Sequence, residues 1–348
     1  MMPGVSRRVG PGYVVAVLVA LLAASVTLAV AVGVVRIPYL VTLRVIAAKL
    51  LPLGGEPAPG TFEAIIWSVR MPRVLTAGLA GFALAVCGAA MQGLFRNPLA
   101  SPGITGVSSG ASLGAAIAIF LGLQLKSPWF VPAGGFAGAL AAAAVVYLLS
   151  TQRGKTDPAT LLLAGVAVSA LASAVLSAIY QFSNDFVMRE IVYWLMGNLS
   201  GRRWEHVVTI GPLVLAGGFG LMAFAAELNI MAAGEDDARA MGVSVERTKR
   251  WILALVAVVT GAAISVVGLI GFVGLIVPHT MRIIVGPDHR RLLPASGLLG
   301  ASFLILCDVL ARTLFAPVEL QTGIVTAFFG VPFFLALLVR RRDLVGWS

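Results

Sequence analysis

The feature that most constrains this chain is a series of long apolar segments. A helix that crosses about 30 Å of hydrocarbon needs about 20 apolar residues. Nine uninterrupted segments meet this length, namely 13–35, 74–95, 103–123, 130–150, 160–182, 206–226, 251–270, 293–314 and 321–339. A tenth segment, at 270–286, is interrupted by Pro278. The sequence therefore predicts about ten transmembrane helices.

The low content of charge supports this interpretation. The chain is 59% hydrophobic and 11% charged, whereas a soluble domain carries about 25% charged residues. So few charges cannot cover the surface of a water-soluble fold of this size, so the apolar excess must face lipid. The sequence therefore predicts an all-α membrane protein with one transmembrane domain over residues 1–348.

The distribution of basic residues predicts the orientation. An even number of spans puts both termini on one side, and with the N-terminus inside, 15 of the 25 basic residues fall in inner segments. Arg7, Arg8 and the run Arg340-Arg341-Arg342 belong to this inner set, and Arg36 belongs to the outer one. Positive charge favours the cytoplasmic side. We therefore expect a multi-pass protein of the cell inner membrane with both termini in the cytoplasm, and the net charge of +10 then reflects topology and not a nucleic-acid partner.

Two polar segments interrupt the spans. Residues 184–205 contain an amphipathic stretch that is too short to span, and we expect it to lie along the outer surface. Residues 227–250 form the longest polar inner loop. There Glu235 and the next two acidic residues precede Met241 and Gly242, which predicts a short helix with acidic residues in its first turn and a glycine stop. Such a helix with Met241 exposed could enter a groove on a cytoplasmic partner.

The densest motif is the segment from Gly81 to Ala111. Its Asn97-Pro98 pair ends a helix, because the residue before proline resists helical dihedral angles. Ser101-Pro102-Gly103 then begins the next span. A polar turn at membrane depth is tolerated where it is buried in protein or lines a water-filled cavity. Asn97 and Leu99 are therefore candidates for lining or closing a path.

Isolated reactive side chains indicate no catalytic or metal site. Cys87 and Cys307 lie inside apolar runs, where a buried structural role is expected. His279 has no Cys, Asp or Glu at metal-ligand spacing, and Gln92 is expected to form an interhelical hydrogen bond. Arg153-Gly154-Lys155-Thr156 lacks the earlier glycine of a phosphate-binding loop, since Leu149 stands there. ATP hydrolysis would have to come from another polypeptide.

A set of motifs in fixed order resembles the FecCD permease family, which includes importers of ferric siderophores, haem and vitamin B12. The matching motifs are Arg70–Arg73, Gly81–Ala111, Trp194–Gly197, Gly234–Gly242, Gly271–His279 with Arg282, Asp308 with Arg312, Gly323–Thr326 and Gly330–Phe334. The sequence departs from the family pattern before the last span, where Glu319-Leu320 is followed by Gln321 and not by proline.

The resemblance implies a type II ABC importer permease fold, with ten helices per subunit in a homodimer and a pathway between the two copies. It implies two cytoplasmic ATPase subunits that use ATP, a periplasmic substrate-binding protein, and no cofactor or metal bound by this chain. The expected cargo is an iron chelate, with ferric siderophore first, haem second and vitamin B12 third.

By resemblance, the residues that dock the binding protein are Arg70, Arg73 and Arg312. Those near the cytoplasmic gate are Asn97, Pro98 and Leu99. Those that couple to the ATPase are Gly234, Glu235, Ala238, Arg239, Met241 and Gly242.

Several alternatives stay open from the sequence. Arg70 and Arg73 could be ordinary anchors at a helix start, and Arg312 could pair with Asp308 four residues earlier. An ion-gradient-driven secondary transporter would need an intramembrane carboxylate, for which Asp308 is the candidate. A non-transporting membrane scaffold is the third alternative. The loop at 151–160 is expected to hold a second part of the inner gate, with no residue assigned.

Overall fold

The computed structural model describes residues 11–33, 35, 37–50 and 60–345. Arg7, Arg8 and Arg36, which contributed to the predicted orientation, lie outside these residues. The described chain is almost entirely helical, with one two-residue hairpin in which β1 (Thr151–Gln152) pairs antiparallel with β2 (Lys155–Thr156). The first helices are α1 Pro11–Ala31, α2 Tyr39–Leu50, α3 Gly60–Ala64, α4 Met71–Leu94, α5 Val107–Phe120, α6 Phe130–Ser150, α7 Pro158–Phe182 and α8 Asp185–Leu195. The later helices are α9 Trp204–Ala223, α10 Ala225–Met231, α11 Glu235–Ala240, α12 Val245–Val267, α13 Val273–Val285, α14 His289–Thr313 and α15 Thr322–Val345.

Seven helices of the described chain are long and apolar enough to cross a membrane. Three shorter apolar stretches accompany them, namely α5, α13 and the first part of α15 up to Ala336. The prediction of an all-helical membrane protein is confirmed, and the count of ten spans stays a prediction. The long segments are Gly12–Ala31, Gly60–Leu94, Phe130–Ser150, Pro158–Phe182, Trp204–Ala223, Val245–Val267 and His289–Thr313.

The predicted break at Pro278 is wrong. Helix α13 runs through Pro278, and the chain breaks earlier, between Gly268 with φ of 73° and Phe272 with φ of 67°. Proline removes the hydrogen bond to the carbonyl four residues before it, which here belongs to Gly274. That carbonyl faces Gly88 of α4, where the helices touch. The close contact with α4 holds the helix together across the proline.

Two other segments differ from the sequence prediction. The span predicted at 103–123 opens with a 3₁₀ turn, Pro102–Thr105, and only then becomes the helix α5. Helix also begins at Gly60, before the predicted start at residue 74, and passes through a π-helical segment, Ile65–Arg70, into α4. Arg70 and Ser68 lower the hydropathy of this stretch, so the apolar pattern alone missed it.

The centre of the bundle is the antiparallel pair α4 and α14. Gly81 of α4 lies so close to α14 that a Cβ atom there would stand 2.2 Å from the carbonyl oxygen of Gly300. Helices α5 and α6 cross in the same way, because a Cβ on Gly110 would stand 2.2 Å from the Gly138 oxygen. Small residues permit such backbone contact between helices in lipid. Much of the interior is therefore fixed by glycine positions.

Candidate functional site

The polar residues of interest lie at two opposite ends of the bundle. Arg73 near the start of α4 contacts Asp308 near the end of α14, while Gly93 at the end of α4 contacts His289 at the start of α14. We call the first the arginine end and define it by Arg70, Arg73, Asp308 and Arg312. We call the second the hairpin end and define it by the β1–β2 hairpin and α11.

At the arginine end, Arg70 closes the end of α1. Its Nη1 donates to the carbonyl oxygens of Val30 at 2.6 Å and Ala31 at 2.8 Å, and its Nη2 donates to the Val35 oxygen. The last carbonyls of a helix lack partners within the helix, and a cation there also interacts favourably with the helix dipole. Arg70 is therefore occupied within the chain.

Arg73 and Arg312 share the buried carboxylate of Asp308. Arg73 grips it in bidentate fashion, with Nε to Oδ2 at 2.9 Å and Nη2 to Oδ1 at 3.0 Å, and its Nη1 donates to Glu319 at 2.9 Å. Arg312 Nε lies 3.8 Å from Asp308 Oδ2, and its Nη2 donates to the Ala29 oxygen. Thr322 Oγ1 also donates to Asp308. This cluster joins α1, α4 and α14 to the start of α15.

The three arginines predicted to dock the binding protein are buried inside the chain. Arg70, Arg73 and Arg312 are only 6%, 9% and 5% exposed, and each guanidinium has partners inside the chain. To meet a carboxylate on another protein, each would have to leave these partners. Their docking role stays a prediction. Exposed basic side chains at this end include Lys126, Arg189 and Arg203.

A groove of about 660 Å³ opens beside this cluster. It is lined by Glu190 and Tyr193 of α8, by Arg202 and by Glu319. Burial lowers the pKa of the Arg202 guanidinium to about 10, with a further contribution from the charge of Arg73. Arg202 therefore stays charged at neutral pH. Sequence reasoning missed Arg202 and Arg203, whose only signal was their position just before the span at 206–226.

The predicted gate motif forms a turn beside a cavity. Asn97 is exposed, and its Oδ1 accepts a hydrogen bond from the Leu99 backbone N–H at 2.9 Å. An Asn side chain bonded two residues ahead is a typical turn, so Asn97 shapes the turn. Pro98 and Leu99 are half-buried. Of the three, Leu99 lines the neighbouring cavity of about 320 Å³.

That cavity is bordered by two non-helical segments, one after α4 and one before α13. Ser101, Pro102 and Gly103 line one side, and Ile270 to Phe272 line the other, so irregular backbone at membrane depth here faces a cavity, as expected. The lining side chains carry no charge. Nearby, Gln92 donates to the Leu275 oxygen at 3.2 Å, as predicted.

At the hairpin end, the predicted short helix is present as α11. Its first turn holds Glu235 and two further acidic residues, and Gly242, just beyond Met241, has φ of 85°. Ala238 is fully buried, whereas Met241 is 67% exposed. Arg239 pairs within the helix with Glu235 at 3.1 Å and with Asp236 at 2.6 Å. Gly234 has φ of 147° and supplies the carbonyl that accepts from the Ala238 N–H.

The residue that follows α11, Met241, exposes an apolar side chain for contact. Met241 borders a crevice of about 530 Å³ together with Phe224, Arg247 and Trp251. Asn229 ties the preceding helix α10 to α14, since its Nδ2 donates to Asp288 at 2.7 Å and its Oδ1 accepts from the His289 N–H at 2.8 Å. The bond from Asn229 is the largest cause of the lowered pKa of Asp288, followed by the bond from the Arg290 backbone N–H. The α10–α11 segment is thereby held against the bundle.

Comparison with known proteins identifies the family. The model of the FecCD transport family matches residues 21–340. The cobalamin import system permease protein BtuC of Halobacterium salinarum is 49% identical over 284 residues, which cover 82% of this chain and 76% of that protein. The hemin transport system permease protein HmuU of Yersinia pestis is 41% identical over 288 residues, 80% of this chain and 84% of that protein.

A solved structure agrees with this match. It is described as an ABC transporter in an inward-facing conformation, with a TM-score of 0.82 and 31% sequence identity. The alignment covers 95% of this chain and 99% of that chain. Since the family model spans nearly the whole sequence and the fold agrees, this chain belongs to the FecCD transport family and is the membrane permease of an ABC importer.

Proposed function

We propose that this permease carries a corrinoid of the vitamin B12 class across the inner membrane into the cytoplasm. The observation that carries the proposal is the 49% identity with a permease named for cobalamin import. The lining of the cavity beside Leu99 and Phe272 is uncharged, whereas charges within a membrane usually mark tight binding. At about 320 Å³ this cavity is a stretch of wall beside the gate motif and not a chamber for the whole cargo.

Haem is the second candidate, because a relative named for hemin transport is 41% identical. Ferric siderophore, the first choice from sequence alone, becomes the third. Many siderophores carry several negative charges, and no charged side chain among the described residues borders this cavity to meet them.

The proposed assembly is a homodimer of ten-span subunits with the pathway between the two copies and both termini in the cytoplasm. Two separate ATPase subunits hydrolyse ATP and bind the hairpin end through α11. Support for this contact comes from the exposed Met241 on a helix held by the buried Ala238. The residues proposed for coupling are Gly234, Glu235, Ala238, Arg239, Met241 and Gly242.

A periplasmic binding protein docks at the arginine end in this proposal. Exposed Lys126, Arg189 and Arg203 could meet its carboxylates at once, and such charges steer encounter. Arg70, Arg73 and Arg312 would contribute by holding the ends of α1, α4 and α14 in place, or directly after leaving their internal partners.

Uptake measurements with the reconstituted complex test the cargo. Proteoliposomes holding the permease, its ATPase and its binding protein are given cyanocobalamin, hemin or ferric enterobactin, an anionic siderophore complex, in separate experiments. We expect ATP-dependent accumulation of cyanocobalamin in preference to the other two. Accumulation of ferric enterobactin with none of cyanocobalamin would overturn the proposed cargo.

The secondary-transporter rival is weakened by the state of Asp308. This carboxylate is 1% exposed and is held by Arg73 and Arg312, whereas coupling to an ion gradient needs a carboxylate that can bind and release an ion. Uptake that persisted with an inactive ATPase and collapsed with a protonophore would favour the rival. Purified permease that bound neither ATPase nor binding protein would favour a scaffold.

A further inference from the structure

A buried amine at the hairpin end joins three separate parts of the chain. Lys249 of α12 is 4% exposed, and its Nζ lies 2.7 Å from Glu235 Oε1 and 3.3 Å from Glu246 Oε1. It also donates to the carbonyl oxygen of Thr156 at 3.0 Å. The ammonium donates hydrogen bonds to Thr156 and Glu246, and Glu235 is its ion-pair partner.

The three partners of Lys249 belong to elements with different positions in the fold. Glu235 is the first residue of α11, Glu246 is in the first turn of α12, and Thr156 is the last residue of the hairpin between α6 and α7. Glu246 reinforces the link, because its Oε2 accepts from the Thr156 N–H at 2.9 Å. Lys249 thus ties the start of α11 to the hairpin.

The hairpin continues directly into α7. Asp157 follows Thr156, and its Oδ2 accepts from the Thr160 N–H at 2.7 Å, which caps the N-terminus of α7. A displacement of Thr156 therefore acts on the first turn of α7.

Helix α7 in turn touches the wall of the cavity. Gly165 of α7 packs on the 3₁₀ turn Pro102–Thr105 so closely that a Cβ there would stand 2.0 Å from the Ile104 oxygen. Pro102 of the same turn lines the cavity beside Leu99. A continuous series of contacts therefore runs from α11 through Lys249, the hairpin and α7 to the cavity. Packed elements of this kind transmit displacement because a close-packed interior yields little.

We propose that Lys249 is the positioning residue that transmits movement of α11 to the α6–α7 hairpin and so to the cavity wall. The inference rests on the proposed binding of the ATPase to α11. A buried ion pair is weak evidence for stability, since apolar replacements of similar volume are often tolerated. Transmission between elements, by contrast, requires a bond to each of them, and Lys249 supplies these bonds.

The test compares Lys249→Met with Arg250→Met in the full complex. Methionine keeps much of the buried length and removes all three bonds of Lys249. Arg250 is the next residue on the same helix, is exposed, and bonds outside the network to Tyr147. For each complex, ATPase association, binding-protein-stimulated ATP hydrolysis and cargo taken up per ATP hydrolysed are measured.

We expect Lys249→Met to keep ATPase association and hydrolysis while cargo uptake per ATP falls about tenfold, a usual size for coupling between sites. Arg250→Met should retain the wild-type ratio, and Lys249→Arg should restore part of it. A wild-type ratio of cargo uptake to ATP hydrolysis in Lys249→Met would overturn the proposal, as would an equal loss in Arg250→Met.

If Lys249→Met does not fold, Glu246→Gln is tested in its place. A wild-type ratio of uptake to hydrolysis in Glu246→Gln overturns the proposal. Failure of the wild-type permease to bind the ATPase would instead refute the proposed function.

Discussion

At the scale of single residues, glycines set how closely the helices approach. A Cβ on Gly88 of α4 would stand 1.9 Å from the carbonyl oxygen of Gly274, and backbone at that position cannot swing away as a side chain can. A Cβ on Gly78, further towards the start of the same helix, would meet only the end of the Ile305 side chain at 3.4 Å. Gly88 and Gly78 therefore serve as a test position and its matched control.

Gly88→Ala should lower the free energy of unfolding by about 1–3 kcal/mol, the usual cost of overpacking. Gly78→Ala should leave it nearly unchanged. Thermal unfolding of the purified proteins in detergent measures the difference. Equal unfolding temperatures for the two variants would show that α4 and α13 are not in backbone contact.

The buried carboxylate of Asp308 belongs to the same scale. Asp308→Asn leaves two buried arginines without their shared anion, and removal of one partner from a buried pair costs about 3–5 kcal/mol. Glu319→Gln is the control, because the Glu319 side chain is 36% exposed and more solvated ion pairs contribute about 0–1 kcal/mol. Unfolding in detergent should rank Asp308→Asn well below Glu319→Gln, and the reverse order would refute the ion-pair cluster.

At the scale of elements, α11 is the helix whose two faces have separate roles. Ala238 packs inward and Met241 points outward, at 67% exposure. Met241→Asp should therefore leave folding unchanged but place a charge where an apolar contact with the ATPase is proposed. We expect the dissociation constant for the ATPase to rise about tenfold, which corresponds to about 1.4 kcal/mol.

Met188 of α8 provides the control for that change. It is 41% exposed and lies at the arginine end, far from the proposed ATPase contact. Met188→Asp should bind the ATPase as the wild type does, when association is measured by light scattering or microscale thermophoresis. Equal losses in both variants would show that Met241 makes no special contact.

The helices and breaks also show which features of the fold could be predicted from the sequence. The acidic first turn and the glycine stop of α11 are local signals, and the structure contains that helix. The break at 268–272 escaped because glycine and phenylalanine with left-handed backbone leave no hydropathy signal, whereas Pro278 suggested a break that packing on Gly88 suppresses. The burial of Arg73 was equally hidden, since its partner Asp308 is 235 residues away in sequence. Long-range pairs of this kind, Lys249 with Thr156 among them, become visible only in the folded chain.

At the scale of the whole molecule, the bundle separates two sets of polar groups. The arginine end gathers Arg73, Asp308 and Arg312, and the hairpin end gathers α11, the hairpin and Lys249. In the proposed assembly, the hairpin end faces the cytoplasm, where the ATPase supplies energy. The arginine end faces the periplasm, where the binding protein delivers cargo.

The sidedness of these two ends is the most direct test of the proposed assembly. A single cysteine is introduced at Asp236 on α11 or at Arg203 and labelled with a membrane-impermeant maleimide. The native Cys87 and Cys307 are buried, and they are replaced by serine if they react with the maleimide. We expect Asp236→Cys to react only in inside-out vesicles and Arg203→Cys only in intact spheroplasts. Reaction of Asp236→Cys from the periplasmic side would contradict the assembly.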